Sequence, residues 1–350
     1  MQTIGLANAA MGPSGTLGRL VEDSTTIRAR LDRLTEQSST GLVSQSFGGL
    51  GSTAQLSLDL RPQLARVDVL TQNITAASAR TDVSSQVLDQ LQQIASTFFN
   101  GTISMSTQTA QEVDTLAAQA SAALTQVQGL LNTKVGDDYV FSGEDSGNPP
   151  LPDAAFGAYV QSIRTATAGL TAVNGAATAA ATLAAANSGS PFSATLAAAR
   201  QTVAVGFGIT AQIGIVAGQN AYASTTVPGS TGSYVRDLVR SLATISALNS
   251  AQTSFGASFD TLVSNTRASL ADQITMINAD VAGLGDSKQL LTMNQGTLDD
   301  TRQAMTTQIS NVENVDAAAT ASAVTQTQTQ LQISYKLIAS MQGLSLVQYL

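Results

Sequence analysis

Three places in this chain carry residue types that could do chemistry. Asp145-Ser146-Gly147 has the residue order of an aspartic-protease half-site, in which two carboxylates share one proton. A half-site needs a second copy, and this one lies in a turn rich in Gly and Pro. Asp137, Asp138, Glu144 and Asp145 could offer oxygen ligands to a hard cation, but they lack the spacing of a calcium loop. A solvated hairpin around Tyr139-Val140-Phe141-Ser142-Gly143 accounts for the same residues. Gly48-Gly49-Leu50-Gly51 is glycine-rich like a phosphate loop, yet no strand precedes it and no Lys follows, so it predicts a flexible joint between helices. The patterns GxxxxGK, HExxH, CxxC and GxSxG are absent. With no His and no Cys, the commonest general base, the commonest zinc ligands and any thiolate nucleophile are missing as well. We assign no catalytic, cofactor-binding or metal-ligating residue and expect a protein that is not an enzyme.

The residues that do show a pattern are apolar, and the elements they require are long helices. Leu17, Leu20, Ser24, Ile27, Leu31 and Leu34 alternate steps of three and four, with Ser24 the one polar member of the stripe. Leu60, Val67, Ile74, Leu88 and Ala95 share a seven-residue lattice, with Leu70, Ala77, Leu91 and Phe98 three residues later and Gln63, Thr81 and Ser84 as polar gaps. Asn100-Gly101 predicts the end of that helix. Val113, Ala117, Ala120, Leu124, Val127 and Leu131 predict the next, ending before Asn132. Leu270, Ile277, Leu284, Leu291, Leu298, Met305 and Val312 occupy seven consecutive lattice positions, and their companions Ile274, Val281, Lys288, Gln295, Arg302 and Ile309 are half polar. That flank suits a bundle with one wetter side, with Gly283 and Gly285 admitting a close neighbour. Leu331, Tyr335, Ile338, Met341 and Leu344 close the series. Two terminal helices bury little by themselves, so we expect Leu17, Leu20, Ile27, Leu31 and Leu34 to meet Leu331, Tyr335, Ile338, Met341 and Leu344 in an assembly interface that neighbouring subunits complete.

Between residues 146 and 232 the composition shifts to Ala, Thr, Gly and Pro, with Asp153, Arg164 and Arg200 the only charges. Val203, Val205, Phe207, Ile209, Ala211, Ile213 and Ile215 alternate, the period of a half-buried strand or hairpin. The expected fold is mainly α: long coiled helices from both chain ends form a helical bundle, with an inserted β-rich domain. Its parts are 1–40 with 312–350 as an inner pair, 41–145 with 233–311 as the long-helix bundle, and 146–232 as the outer insert. The 350 residues carry 16 Lys plus Arg against 24 Asp plus Glu, a net charge of -8. The charged fraction is 11%, against about 25% in ordinary soluble chains. Without a basic stripe, nucleic acid is a poor partner. No apolar run has the length and composition of a membrane span, and no basic segment followed by an apolar one marks a cleavable signal.

The pattern as a whole, heptads at both ends around a variable insert, resembles the flagellin family over residues 15 to 145 and 233 to 350. Leu31-Asp32-Arg33-Leu34-Thr35-Glu36-Gln37-Ser38-Ser39-Thr40-Gly41 is similar to the family's first helix and its exit. Ile309 to Ala318 is similar to the family's Ile-Ser-x-x-Glu-Asp-x-Asp joint, and Gln328 to Tyr335 to its Gln-x-x-Leu-Gln-Ala-Ser helix. Within the family, Tyr139-Val140-Phe141-Ser142-Gly143 and Ser345-Leu346-Val347-Gln348-Tyr349-Leu350 look more like the members that join hook to filament than like filament subunits. The resemblance implies a homo-oligomeric ring with hook-associated protein 1 and flagellin on either side. It also implies an extracellular place, reached through the flagellar type III export machinery with an export chaperone, without a cleavable signal peptide and without a cofactor. Filament flagellin is the alternative within the family. An adhesin-like surface domain on a helical stalk is the alternative outside it, disfavoured as an enzyme because the insert holds so few ionisable groups.

Overall fold

The structure is a computed structural model and describes residues 13–105, 110–196 and 199–347. The long helices follow the heptads. Helix α1 is Pro13–Thr40, α2 is Ala54–Ser104, α3 is Ala110–Leu131, α6 is Tyr234–Ser246, α7 is Ala257–Glu313 and α8 is Ala317–Val347. At 57 residues α7 is about 85 Å long. A helix of that length needs lateral packing to persist, and its lattice supplies it. Leu270, Ile277, Leu284, Leu291 and Leu298 are all buried, while Lys288 and Arg302 on the companion lattice are exposed. In α2 the polar gaps Thr81 and Ser84 are buried without penalty, because their hydroxyls donate to the carbonyls of Ala77 and Arg80 at 2.9 Å.

The chain forms two compact units. One takes residues up to 67 together with 300 onward; the other is 68–299. The second holds the principal core. Val87, Leu88, Leu91, Ala95 and Phe98 of α2 pack there with Val113, Leu124 and Val127 of α3, with Leu238 and Leu242 of α6, and with Leu262, Leu270 and Ile277 of α7. Helix α6 is buried on every side from Val235 to Ile245 except at Arg236, which makes it the axis of the unit. Its N-cap is Ser233, whose hydroxyl accepts the Arg236 amide.

The insert corrects two expectations. It is not β-rich: it holds helices α4, Asp153–Ala168, and α5, Gly175–Ser188, and a single hairpin of β3, Gln201–Gly206, with β4, Ile209–Ile213. Alanine is the strongest helix former, and an Ala-Thr run needs no large apolar stripe when its buried face is itself small. In α5 that face is Gly175, Thr178, Thr182 and Ala186. Nor does it own a separate core, because Phe156, Tyr159, Val160, Ile163, Leu170, Ala186, Ile215 and Ala217 join the core just described. The alternating run does form the hairpin, with Val203 opposite Ala211. The other hairpin pairs β1, Lys134–Val135, with β2, Asp138–Tyr139.

Helix α2 also runs past Asn100-Gly101, where a stop was expected, to Ser104. Gly101 is a contact surface instead of an exit. A Cβ there would lie 2.9 Å from Leu116 Cδ1, so its absence lets α3 pack close. Gly283 works the same way under the Tyr222 ring, whereas Gly285 has nothing within 4 Å. Gly175 is the tightest case, since a Cβ would fall 2.1 Å from the Ser258 carbonyl oxygen, which is backbone and cannot turn aside. Gly175→Ala should cost about 2 kcal/mol or more of unfolding free energy in urea titration. Gly157→Ala, on the exposed face of α4 with open space around it, should add about 0.5–1 kcal/mol.

Candidate assembly interface

The residues singled out for chemistry disperse into loop-holding roles. Asp145 accepts from Thr195 Oγ1 at 2.6 Å and Asn148 Nδ2 at 2.8 Å, and Asp138 accepts from Ser146 Oγ at 2.7 Å. No group of three or more metal-ligating side chains occurs among the described residues. Gly48 to Gly51 lie in a 3-10 turn, Phe47–Thr53, that leads into α2. Tyr139 to Gly143 carries a buried centre of Val140, Phe141 and Ser142. Arg80 of α2 clamps its backbone, donating from Nη2 to the Tyr139 and Val140 carbonyls at 2.9 Å each and from Nη1 to Gln201 Oε1 at 3.0 Å. Burial pulls that guanidinium below its ordinary value, against the opposing effect of Asp138.

What remains is the terminal pair. Helices α1 and α8 lie against each other, antiparallel, because the end of α1 and the start of α8 are joined at a short bridge between Leu42 and Asn314. Leu20, Ile27, Leu31 and Leu34 of α1 and Leu331, Ile338 and Met341 of α8 are half-buried along one seam. The side chains of Leu17 and Leu344 lie outside the described residues. Tyr335 departs from expectation: it is 47% exposed. The adjacent Ser334 takes the inward position, and a helix turns by about 100° per residue, so Tyr335 stands on the flank. The most buried residues of the seam are small and polar. Ser24, Thr320, Thr327 and Ser334 are each 8% exposed or less. Hydropathy alone ranks them as gaps; their spacing of three, four and seven on the seam is the signal that places them inside. Ser24 donates to the Val21 carbonyl at 2.8 Å. The Ser334 hydroxyl is buried without a hydrogen-bond partner.

The joint at the end of the pair is more tightly made than the pair itself. Gly41 leaves α1 with φ +73°, a conformation that suits glycine after a helix. Its carbonyl accepts the Val315 amide at 2.9 Å, and the Glu313 carbonyl accepts the Val43 amide at 2.7 Å. The Glu313 carboxylate is held by Arg61 of α2, at 2.7 Å to Oε2 and 2.9 Å to Oε1 from Nη2, and by the hydroxyl of fully buried Ser57. Arg61 and Ser57 hold that carboxyl below the usual range. Asp316 then caps α8, accepting the Ala318 and Ala319 amides at 2.9 and 3.0 Å. Glu313 lies within the Ile309 to Ala318 segment with no local sign of its role, because its partners stand some 250 positions away in the chain.

Long helices whose two chain ends close on one another, with small residues in the seam, define the class of this protein by its fold. Residues 21–146 match the bacterial flagellin N-terminal helical region, and residues 268–350 match the bacterial flagellin C-terminal helical region, together more than half of the chain. The chain belongs to the flagellin family, a family of structural proteins, and it is a structural subunit of the flagellum, an extracellular organelle. Among solved structures, a Vibrio parahaemolyticus protein described as a flagellar hook-associated protein has a similar fold, with a TM-score of 0.54 at 10% identity over 77% of this chain and 99% of that one. No curated protein sequence matches. Among the described residues no helix is long and apolar enough to cross a membrane.

Because Glu313 has a lowered pKa, the stabilisation it gives is present above the ordinary Glu range and is lost as pH falls through the lowered value. Acid titration of helicity should show the α1–α8 pair loosening in that window, and Glu313→Gln should abolish the dependence. Tyr335→Ala should change stability by less than about 0.5 kcal/mol, as an exposed position does, while Ile338→Asp should disrupt the seam.

Proposed function

We propose that this subunit forms the ring joining hook to filament, the place held in the flagellum by hook-associated protein 3. The observation that carries the reading is the Tyr139–Gly143 segment, similar to that of the junction members, here with its Val140-Phe141-Ser142 centre buried and its backbone clamped by Arg80. The similar fold of a protein described as hook-associated supports it. On this reading hook-associated protein 1 and flagellin are the axial neighbours, and delivery is by the flagellar type III export machinery with a chaperone.

The terminal pair is the assembling element. Its seam residues are half-buried, so a subunit alone leaves much of their apolar surface in water, and contacts with neighbouring copies would cover it. The two helices differ in what they show to solvent. Helix α1 carries four Arg and four acidic residues, whereas α8 carries Lys336 alone. Ile333, Tyr335 and Leu337 of α8 are 54%, 47% and 46% exposed. Apart from Lys336 the exposed side of α8 is uncharged and carries these large side chains, so it desolvates at lower cost than that of α1; on this reading α8 supplies the packing surface and α1 the solvated one.

Immunogold labelling of intact flagella tests the assignment. A thin band at the filament base is the expected result; label along the filament would make the chain a filament flagellin, and label nowhere on flagella would reject both. Leu31→Asp or Ile338→Asp should be exported and fold in residues 68–299, yet incorporate at less than about a tenth of the normal level, since a charge in the seam costs several kcal/mol.

A further inference from the structure

The joint is built differently from the pair it serves. Along the seam, the large side chains are half-buried and the centre is Ser and Thr; at the joint, one residue engages two other segments. The Glu313 backbone carbonyl holds the 41–43 segment, whose Val43 carbonyl in turn accepts Gln37 Nε2 of α1 at 2.8 Å. Its carboxylate holds Ser57 and Arg61 of α2, and Arg61 also lies over the Phe47 ring at 5.8 Å. Three residues on, Asp316 starts α8. The direction in which α8 departs is therefore set by a residue whose side chain is fixed to α2.

We propose that Glu313 is a latch that governs whether α8 lies along α1: with the carboxylate engaged by Arg61 and Ser57 the joint holds the pair aligned, and with it released the pair comes apart while residues 68–299 stay folded. The seam alone cannot do this, because small hydroxyl residues at its centre add little apolar burial. A bidentate arginine-carboxylate pair reinforced by a buried hydroxyl is among the stronger and more directional polar contacts available. Arg61 is the charged group in contact with the carboxylate among the described residues; Arg33 and Glu36 of α1 line the cleft at Leu42 and Val43 beside it. The role of the latch in the flagellum rests on the terminal pair being the assembling element; the geometry does not.

Hydrogen exchange on the intact chain in solution tests the latch. In Glu313→Gln, amides of 18–40 and 317–341 should exchange roughly tenfold faster or more, the loss expected when a charge-assisted contact is removed, while amides of Leu238 to Ile245 keep their protection. The double variant Arg61→Glu with Glu313→Arg should recover most of the lost protection. Unchanged exchange in Glu313→Gln overturns the latch. So does a double variant that stays loose although Leu238 to Ile245 remain protected, or a wild-type chain whose terminal helices are already unprotected. If Glu313→Gln loosens the pair and yet incorporates at the wild-type level, the latch stands and the reading of the pair as the assembling element falls.

Discussion

Two helices whose shared seam is centred on Ser24, Thr320, Thr327 and Ser334 bury little apolar surface against each other, and the way their chain ends are joined answers to that constraint. Fully burying a leucine contributes about 1.5–3 kcal/mol, and the leucines of this seam are half-buried. Small residues bring the two backbones close without adding much to that sum. The alignment of the pair is instead imposed from its joined end, where Gly41, Val43, Glu313 and Val315 exchange backbone hydrogen bonds and the Glu313 side chain is held by Arg61 and Ser57. A pair built this way presents a defined surface, and on the proposed reading neighbouring copies cover the apolar part of it.

The scarcity of charge has a counterpart in how the few charges are used. Within residues 68–299 several arginines serve backbone oxygens and hydroxyls. Arg80 holds the Tyr139 and Val140 carbonyls, Arg236 the Ala186 and Gly189 carbonyls at the end of α5, Arg240 the Gly229 carbonyl, and Arg164 the hydroxyls of Ser121 and Ser246. Asp280, fully buried in α7, does the complementary task, accepting the amides of Ala221, Tyr222 and Ala223 at 2.7 to 3.0 Å. Loops that return from the insert are thereby fixed to helices through planar or bidentate groups, which satisfy buried backbone atoms at few points. A neutral insert and a firmly seated one are compatible for this reason.

Much of this was legible in the residues alone. The seven-residue lattices located α2 and α7 because large aliphatic residues repeat there without competition, and the lattice positions from Leu270 to Leu298 are buried as the period requires. The insert was misread as β-rich because hydropathy registers large side chains, whereas α5 buries Gly, Thr and Ala. Gly101 was misread as a stop because a glycine that admits a neighbour and a glycine that ends a helix look alike until Leu116 is seen against it. Tyr335 fits the four-residue step from Leu331, but the inward place falls to Ser334, three residues from Leu331 and seven from Thr327. The Glu313 contacts were beyond reach: a single acid, a serine and an arginine separated by most of the chain leave no local pattern.

On the proposed reading the terminal helices complete their packing in the assembled flagellum. Hydrogen exchange of the chain within isolated flagella, compared with the free chain, tests it most directly. The expected result is a large gain of protection in α1 and α8 on assembly, with the amides of α6 unchanged. Equal protection of α1 and α8 in both states, or a gain confined to residues 199–232, would contradict it.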